Sequence, residues 1–158
     1  MDKPSEQLLA HLIRTQRTAA LGTLRDGYPF VSMVLYLPAL DFSTFYLHIS
    51  RLAHHTQDLL KDPRASLMIS QTDDGAQDPQ ALARVSILGT AHELGREEAG
   101  YQAVQSAYLA KYPQAATSLA LADFSLFSIH VNQARFVAGF GKIFNLKPED
   151  FRHVAANP

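Results

Sequence analysis

The 158-residue chain contains no cysteine, which removes disulfides, thiolate metal sites and a cysteine nucleophile together and makes a cytoplasmic location the simplest reading. It also lacks charge of one sign. Its 14 Lys plus Arg stand against 15 Asp plus Glu, a formal net charge of -1, so the basic excess of an electrostatic nucleic-acid binder is missing. No long apolar run occurs in the opening MDKPSEQLLAHLIRTQ, so neither a signal peptide nor a membrane span is expected. No internal repeat, no GxGxxG opening a helix, no HExxH and no GxSxG elbow is present. A dinucleotide-binding sheet, a zinc-protease centre and a serine hydrolase are thereby disfavoured.

What the chain does have is 47% hydrophobic residues against 18% charged, enough for the core of one compact domain over residues 1–158. Ser5, Glu6 and Gln7 followed by Leu8, Leu9, Leu12 and Ile13 predict a capped amphipathic helix ending near Gln16. Residues 1–17 are therefore read as a helix packing on the rest. TAALGTL, RDGYP and FVSMVLYL predict two strands joined by a tight turn at Asp26-Gly27. In FSTFYLHI, residues 42–49, strand alternation puts Phe45, Leu47 and Ile49 on one face and Tyr46 and His48 on the other.

Ser50 then stands at the N-cap position of a short helix with Leu52, His55, Thr56, Leu59 and Leu60 at helical spacing, stopped by Asp62-Pro63. RASLMIS at 64–70 reads as a strand, 72–80 as a loop, and 81–94 as a long strand with a bulge or bend at Gly89. Arg96 to Lys111 predicts a helix packing through Ala99, Ala103, Ala107 and Leu109 and closed by Tyr112-Pro113. FSLFSIHV and ARFVAGFG read as two further strands, with IFNL continuing the second or starting another. The sum is about six strands in antiparallel runs with three or more helices, a mainly β (α+β) small barrel with peripheral helices.

The stretch HISRLAHHT, residues 48–56, crowds hydrogen-bonding side chains onto one strand-to-helix corner. A helix N-terminus carries unpaired N–H groups and partial positive charge, so Ser50 and Arg51 suit a phosphate monoester there. The alternative is that Ser50 merely caps the helix while Arg51 lies in solvent. No metal site is expected, because adjacent His54 and His55 point apart on a helix and His11, His92, His130 and His153 are scattered. Asp73-Asp74 and Glu97-Glu98 read as solvated surface charge. No catalytic residue is identified, so reactive atoms would belong to a cofactor.

Four segments carry a family resemblance: AALGTLRDGYPFVSMVLY, LHISRLAHHTQDLLKDPRASLMI, DPQALARVSILGTA and ARFVAGFGKIFNL. In this order they resemble the FMN-binding split β-barrel proteins related to pyridoxamine 5'-phosphate oxidase, and within them the heme-utilisation (HugZ-like) branch. The resemblance implies an antiparallel split barrel forming a homodimer with FMN between subunits. It places Ser32, Met33 and Val34 along the flavin ring, and Ser50, Arg51 and Leu52 at the phosphate with His55 and Thr56 close by. Arg84 becomes a second cation for the phosphate or a ring contact, and Gly139, Gly141 and Lys142 approach the flavin. Two departures stand out. Basic residues are missing around Ser32, and Leu52 replaces the family's Lys, so vitamin B6 oxidase activity is not implied. The expectation is an FMN-dependent oxidoreductase acting on a small-molecule redox substrate. Heme binding and breakdown, with His153 the only late histidine, and a non-catalytic flavin or small-ligand module are the alternatives.

Overall fold

The computed structural model describes residues 1–156. Helix α1 (Lys3–Thr15) precedes a hairpin of β1 (Thr18–Arg25) and β2 (Tyr28–Leu35), followed by the short β3 (Leu37–Pro38) and β4 (Thr44–Ser50). Then come α2 (His54–Lys61), β5 (Arg64–Ser70), β6 (Arg84–Leu94), α3 (Tyr101–Lys111), α4 (Ala116–Leu119), β7 (Phe124–Gly139), β8 (Lys142–Leu146) and α5 (Pro148–Ala156). The strands make one antiparallel sheet in the order β2-β1-β5-β6-β7-β4-β3, with β8 also pairing with β7. This sheet curls into a half-barrel around Leu21, Phe45, Leu47, Leu67, Ile87 and Phe136, all fully buried. The fold is a split barrel with peripheral helices. Among the described residues no helix is long and apolar enough to cross a membrane.

Local chemistry explains most of the path. Asp26 and Gly27 both adopt positive φ, 50° and 84°, the left-handed pair that matches a two-residue hairpin turn to strand twist. In β4, Phe45, Leu47 and Ile49 are buried while Tyr46 and His48 are only half-buried, as a two-residue period requires. The sheet register shifts between Leu88 and Gly89. At Gly89 a Cβ would lie 2.5 Å from the His130 carbonyl oxygen, so only glycine fits where the two backbones meet.

Several boundaries differ from expectation. Asp2, not Ser5, caps α1, its side chain accepting from the Ser5 N–H at 2.8 Å. α3 begins at Tyr101 and buries Tyr101 and Tyr108, leaving Ala99, Ala103 and Ala107 exposed, because two large rings cover more apolar area than a line of methyls. FSLFSIHV and the first six residues of ARFVAGFG belong to one 16-residue strand. The polar Asn132 and Gln133 between them, which looked like a break, fall at the bulge opposite Leu88 and Gly89. β8 is a separate strand, and α5, whose Phe151 and Val154 are buried, has no counterpart in the sequence reading.

Candidate functional site

The strand-to-helix corner is built differently from a helix N-terminus. α2 starts at His54 with Ala53 as its N-cap and no side-chain cap, so Ser50 is not the cap and Arg51 does not sit in the first turn. Ser50 Oγ instead donates to Asp123 Oδ2 at 2.8 Å and accepts from the Leu52 N–H at 3.1 Å. Arg51 donates through Nε to Ser125 Oγ at 3.2 Å and through Nη2 to Glu93 Oε1. Thr56 Oγ1 donates to the Ser50 carbonyl at 2.6 Å. Leu52 projects outward, 83% exposed. Arg51, Glu93, Arg96, Tyr101, Phe124 and Ser125 line a cavity of about 410 Å³ here. Asp123 and Glu93, absent from the sequence reading, reach the corner from the turn before β7 and from β6, 73 and 42 residues away along the chain. No local pattern announces them.

α2 is tied to the hairpin from its other side. Buried Asp58 accepts from Thr23 Oγ1 at 2.9 Å and from Arg25 Nε and Nη2 at 3.2 and 3.0 Å. The Arg25 hydrogen bonds hold its carboxyl below the usual carboxylate range, and the guanidinium lies over the Phe30 ring at 4.0 Å. Burial pushes the neighbouring His55 imidazole down, opposed by the Asp58 charge.

The other anticipated residues lie elsewhere. Ser32 and Val34 point inward, and Ser32 Oγ is buried with no hydrogen-bond partner among the described residues. Arg84 opens β6, opposite Val137, and its Nη1 donates to the Leu82 carbonyl at 2.9 Å. Gly139 pairs with Lys142 across the β7–β8 turn, where Gly139 and Gly141 hold positive φ. Lys142 lies 3.7 Å from Asp2. The twelve residues therefore occupy three places: the corner, the hairpin strand β2, and the end of the sheet shared by β6, β7 and β8.

Met33 belongs to a larger feature, the outward face of the sheet. Register aligns Met33, Ala20, Met68, Ser86, Arg135 and Asn145 in one row and Val31, Gly22, Ser66, Leu88 and Gln133 in the next. Five inter-strand gaps of about 4.8 Å make the longer row roughly 24 Å. Val31, Met33 and Leu88 are 66%, 71% and 47% exposed, an apolar surface of the kind that monomers seldom leave open. Between them Ala20, Gly22, Ser66 and Ser86 form a trough. A Cβ at Gly22 would strike Ser66 Oγ. Depressions of about 330, 260 and 500 Å³ run along it, the first two sharing Val31 and the last two Leu88. Across all eight strands the sole carboxylate is Glu93, which the corner engages, whereas Arg64, Arg84, Arg135 and Lys147 edge the outward face.

Comparison with known proteins places this geometry. The sequence profile described as pyridoxamine 5'-phosphate oxidase matches residues 5–138. The chain belongs to the pyridoxamine 5'-phosphate oxidase family. Within it the chain lies close to the heme-utilisation branch. It is 37% identical over 121 residues to the chloroplastic heme oxygenase HOZ of Arabidopsis thaliana, covering 75% of this chain and 35% of that protein. It is 26% identical to the heme oxygenase HutZ of Vibrio cholerae, covering 85% and 77%. A solved heme-binding protein of Mycobacterium smegmatis superposes with a TM-score of 0.84 at 27% identity, over 97% of this chain and 62% of that one. The chain thus spans about a third of the Arabidopsis protein.

These findings correct the flavin expectation. Relatives named for heme, not for flavin, overturn FMN as the cofactor and the flavoprotein oxidoreductase, while folds of this family are commonly dimeric. The corner offers a physical reason: Ser50 and Arg51 already face the carboxylates of Asp123 and Glu93, so a phosphate would add a further negative charge where two are present.

Proposed function

We propose that this protein binds heme on the outward face of its sheet and serves heme breakdown, with the porphyrin as its redox substrate. The observation that carries the proposal is an exposed apolar face free of carboxylates and edged by cations. A porphyrin is a broad apolar disc bearing two propionates, and it matches such a face in both respects. Met33, Val31, Met68 and Leu88 would cover the disc. Arg84, Arg135 and Lys147 would pair with the propionates, so Met33 and Arg84 are the anticipated residues that keep a direct role. Neither row carries a histidine, so these two rows supply cover and charge rather than an imidazole ligand to iron. Heme, when bound, supplies the redox-active iron through which electrons and dioxygen oxidise the ring. The corner residues Ser50, Arg51, Leu52, His55 and Thr56 would fix the end of β4 against β6 and β7. Gly139, Gly141 and Lys142 would shape the turn beside Arg84, and Ser32 and Val34 would hold β2 in register. A homodimer formed through the same face would shield the apolar rows and enclose the porphyrin.

Titration with hemin tests the reading. A Soret band that saturates at one heme per chain supports it, and its decay under oxygen with a reductant supports breakdown. Spectra identical to free hemin at every ratio would remove heme binding. A Soret band unchanged by reductant would reduce the proposal to a heme carrier.

A further inference from the structure

We infer that His92 and His130 form a two-imidazole site for a divalent first-row transition metal ion, on the rows of the outward face that follow Leu88 and Gln133 beyond the bulge. They lie on neighbouring strands, β6 and β7, where Thr90 pairs with His130 and His92 with Ser128. The two histidines are thus diagonal neighbours on one exposed face, beyond the Leu88/Gly89 bulge. Their ring centroids are 5.4 Å apart, with the planes inclined at 53°. With Zn–N bonds of about 2.0–2.1 Å and tetrahedral angles, two imidazoles on one ion place their centroids roughly 5 Å apart. The observed spacing meets that requirement without moving either strand.

The surrounding hydrogen bonds leave donor nitrogens available. His130 Nδ1 lies 3.1 Å from Thr44 Oγ1 on the adjoining β4, the outer-partner contact that orients a metal-binding imidazole and directs its other nitrogen outward. His130 Nε2 is 3.4 Å from Ser128 Oγ, whose one hydroxyl proton is directed to the His92 carbonyl at 3.3 Å. With its proton on Nδ1, toward Thr44 Oγ1, the His130 imidazole would offer the Nε2 lone pair to a metal ion in place of this long contact. No hydrogen bond reaches the His92 ring among the described residues. Gly89 sets the geometry: its missing Cβ lets β6 approach the His130 carbonyl. Thr44, Thr90, Asn132 and Tyr46 fringe the pair on the same face. No third histidine or carboxylate completes a protein cage among the described residues, so water or a small ligand fills the remaining positions. A neutral imidazole pair selects zinc, copper or nickel over magnesium or calcium, which demand oxygen ligands.

The test titrates Zn2+ into the full-length, metal-free and hemin-free protein by calorimetry in a non-coordinating buffer, with Co2+ absorption as a second readout. The expected result is one saturable site with tetrahedral Co2+ bands, lost in both His92→Ala and His130→Ala. It should persist in His11→Ala, and Thr44→Val should weaken it by about tenfold. Far-UV circular dichroism confirms that each variant is folded. If His92→Ala or His130→Ala unfolds, Thr44→Val and the Co2+ bands decide. Absence of saturable Zn2+ binding, or binding that survives either histidine substitution, overturns the site.

Discussion

Asp58 shows how one buried group can hold two elements. Its carboxylate accepts from Thr23 and twice from Arg25, so Asp58→Ala should cost about 3 kcal/mol by stranding the half-buried guanidinium and the Thr23 hydroxyl. Urea denaturation of both proteins measures this. The folded carboxyl titrates below its ordinary value, chiefly through the Arg25 hydrogen bonds. Its contribution is therefore full above the unfolded pKa of about 3.9 and is lost as pH falls through the folded one. The gap between wild type and variant should close below about pH 4. Lys111 has the opposite sign. Its ammonium donates to the Gln16 and Tyr36 carbonyls at 3.2 Å each, yet burial, and then Arg17, push it down to about 8. The folded pKa lies below the unfolded value, so the penalty for the charged form is full below pH 8 and is relieved as pH rises toward about 10.4. Wild-type stability should gain on Lys111→Met across that window. A constant difference would show Lys111 to be fully solvated.

α2 was legible as a helix from its leucine spacing, but its start was not. Ser50 has the ordinary chemistry of an N-cap, and only the folded chain reveals that Asp123 takes its hydroxyl. The real N-cap, Ala53, offers no side-chain acceptor. Ala53→Ser should therefore stabilise the protein by about 1 kcal/mol, seen as a raised urea midpoint with an unchanged slope. The hairpin was legible down to its turn, since Asp-Gly is among the few pairs that tolerate positive φ twice. β7 was not. Its polar middle looked like a boundary, and only its pairing with both β4 and β6 keeps it continuous.

For the whole molecule the outward face is decisive. Leu88 is exposed in the single chain and lines two depressions. Leu88→Glu should therefore change monomer stability by no more than about 0.5 kcal/mol, while it weakens hemin binding and self-association by placing a carboxylate on a face that has none. Hemin titration and light scattering measure the two losses. Unchanged hemin affinity would move the porphyrin off this face. No single strand of the sequence announces the surface. Val31 and Met33 come from β2, Met68 from β5 and Leu88 from β6, and ordinary alternation accounts for each strand by itself.

By itself the sequence determined the elements whose signals are local: the Asp26-Gly27 turn, the alternating strand β4, the apolar stripe of α1, the glycine at the bulge, and the ordered segments that mark the family. Those depend on backbone sterics and side-chain period, which act over a few residues. Tertiary structure decided what depends on register between distant strands. It gave Asp123 and Glu93 to the corner, made a continuous apolar face from three separate strands, and brought His92 and His130 together across 38 residues of chain. Such neighbours are chosen by sheet pairing, and pairing is a property of the closed fold.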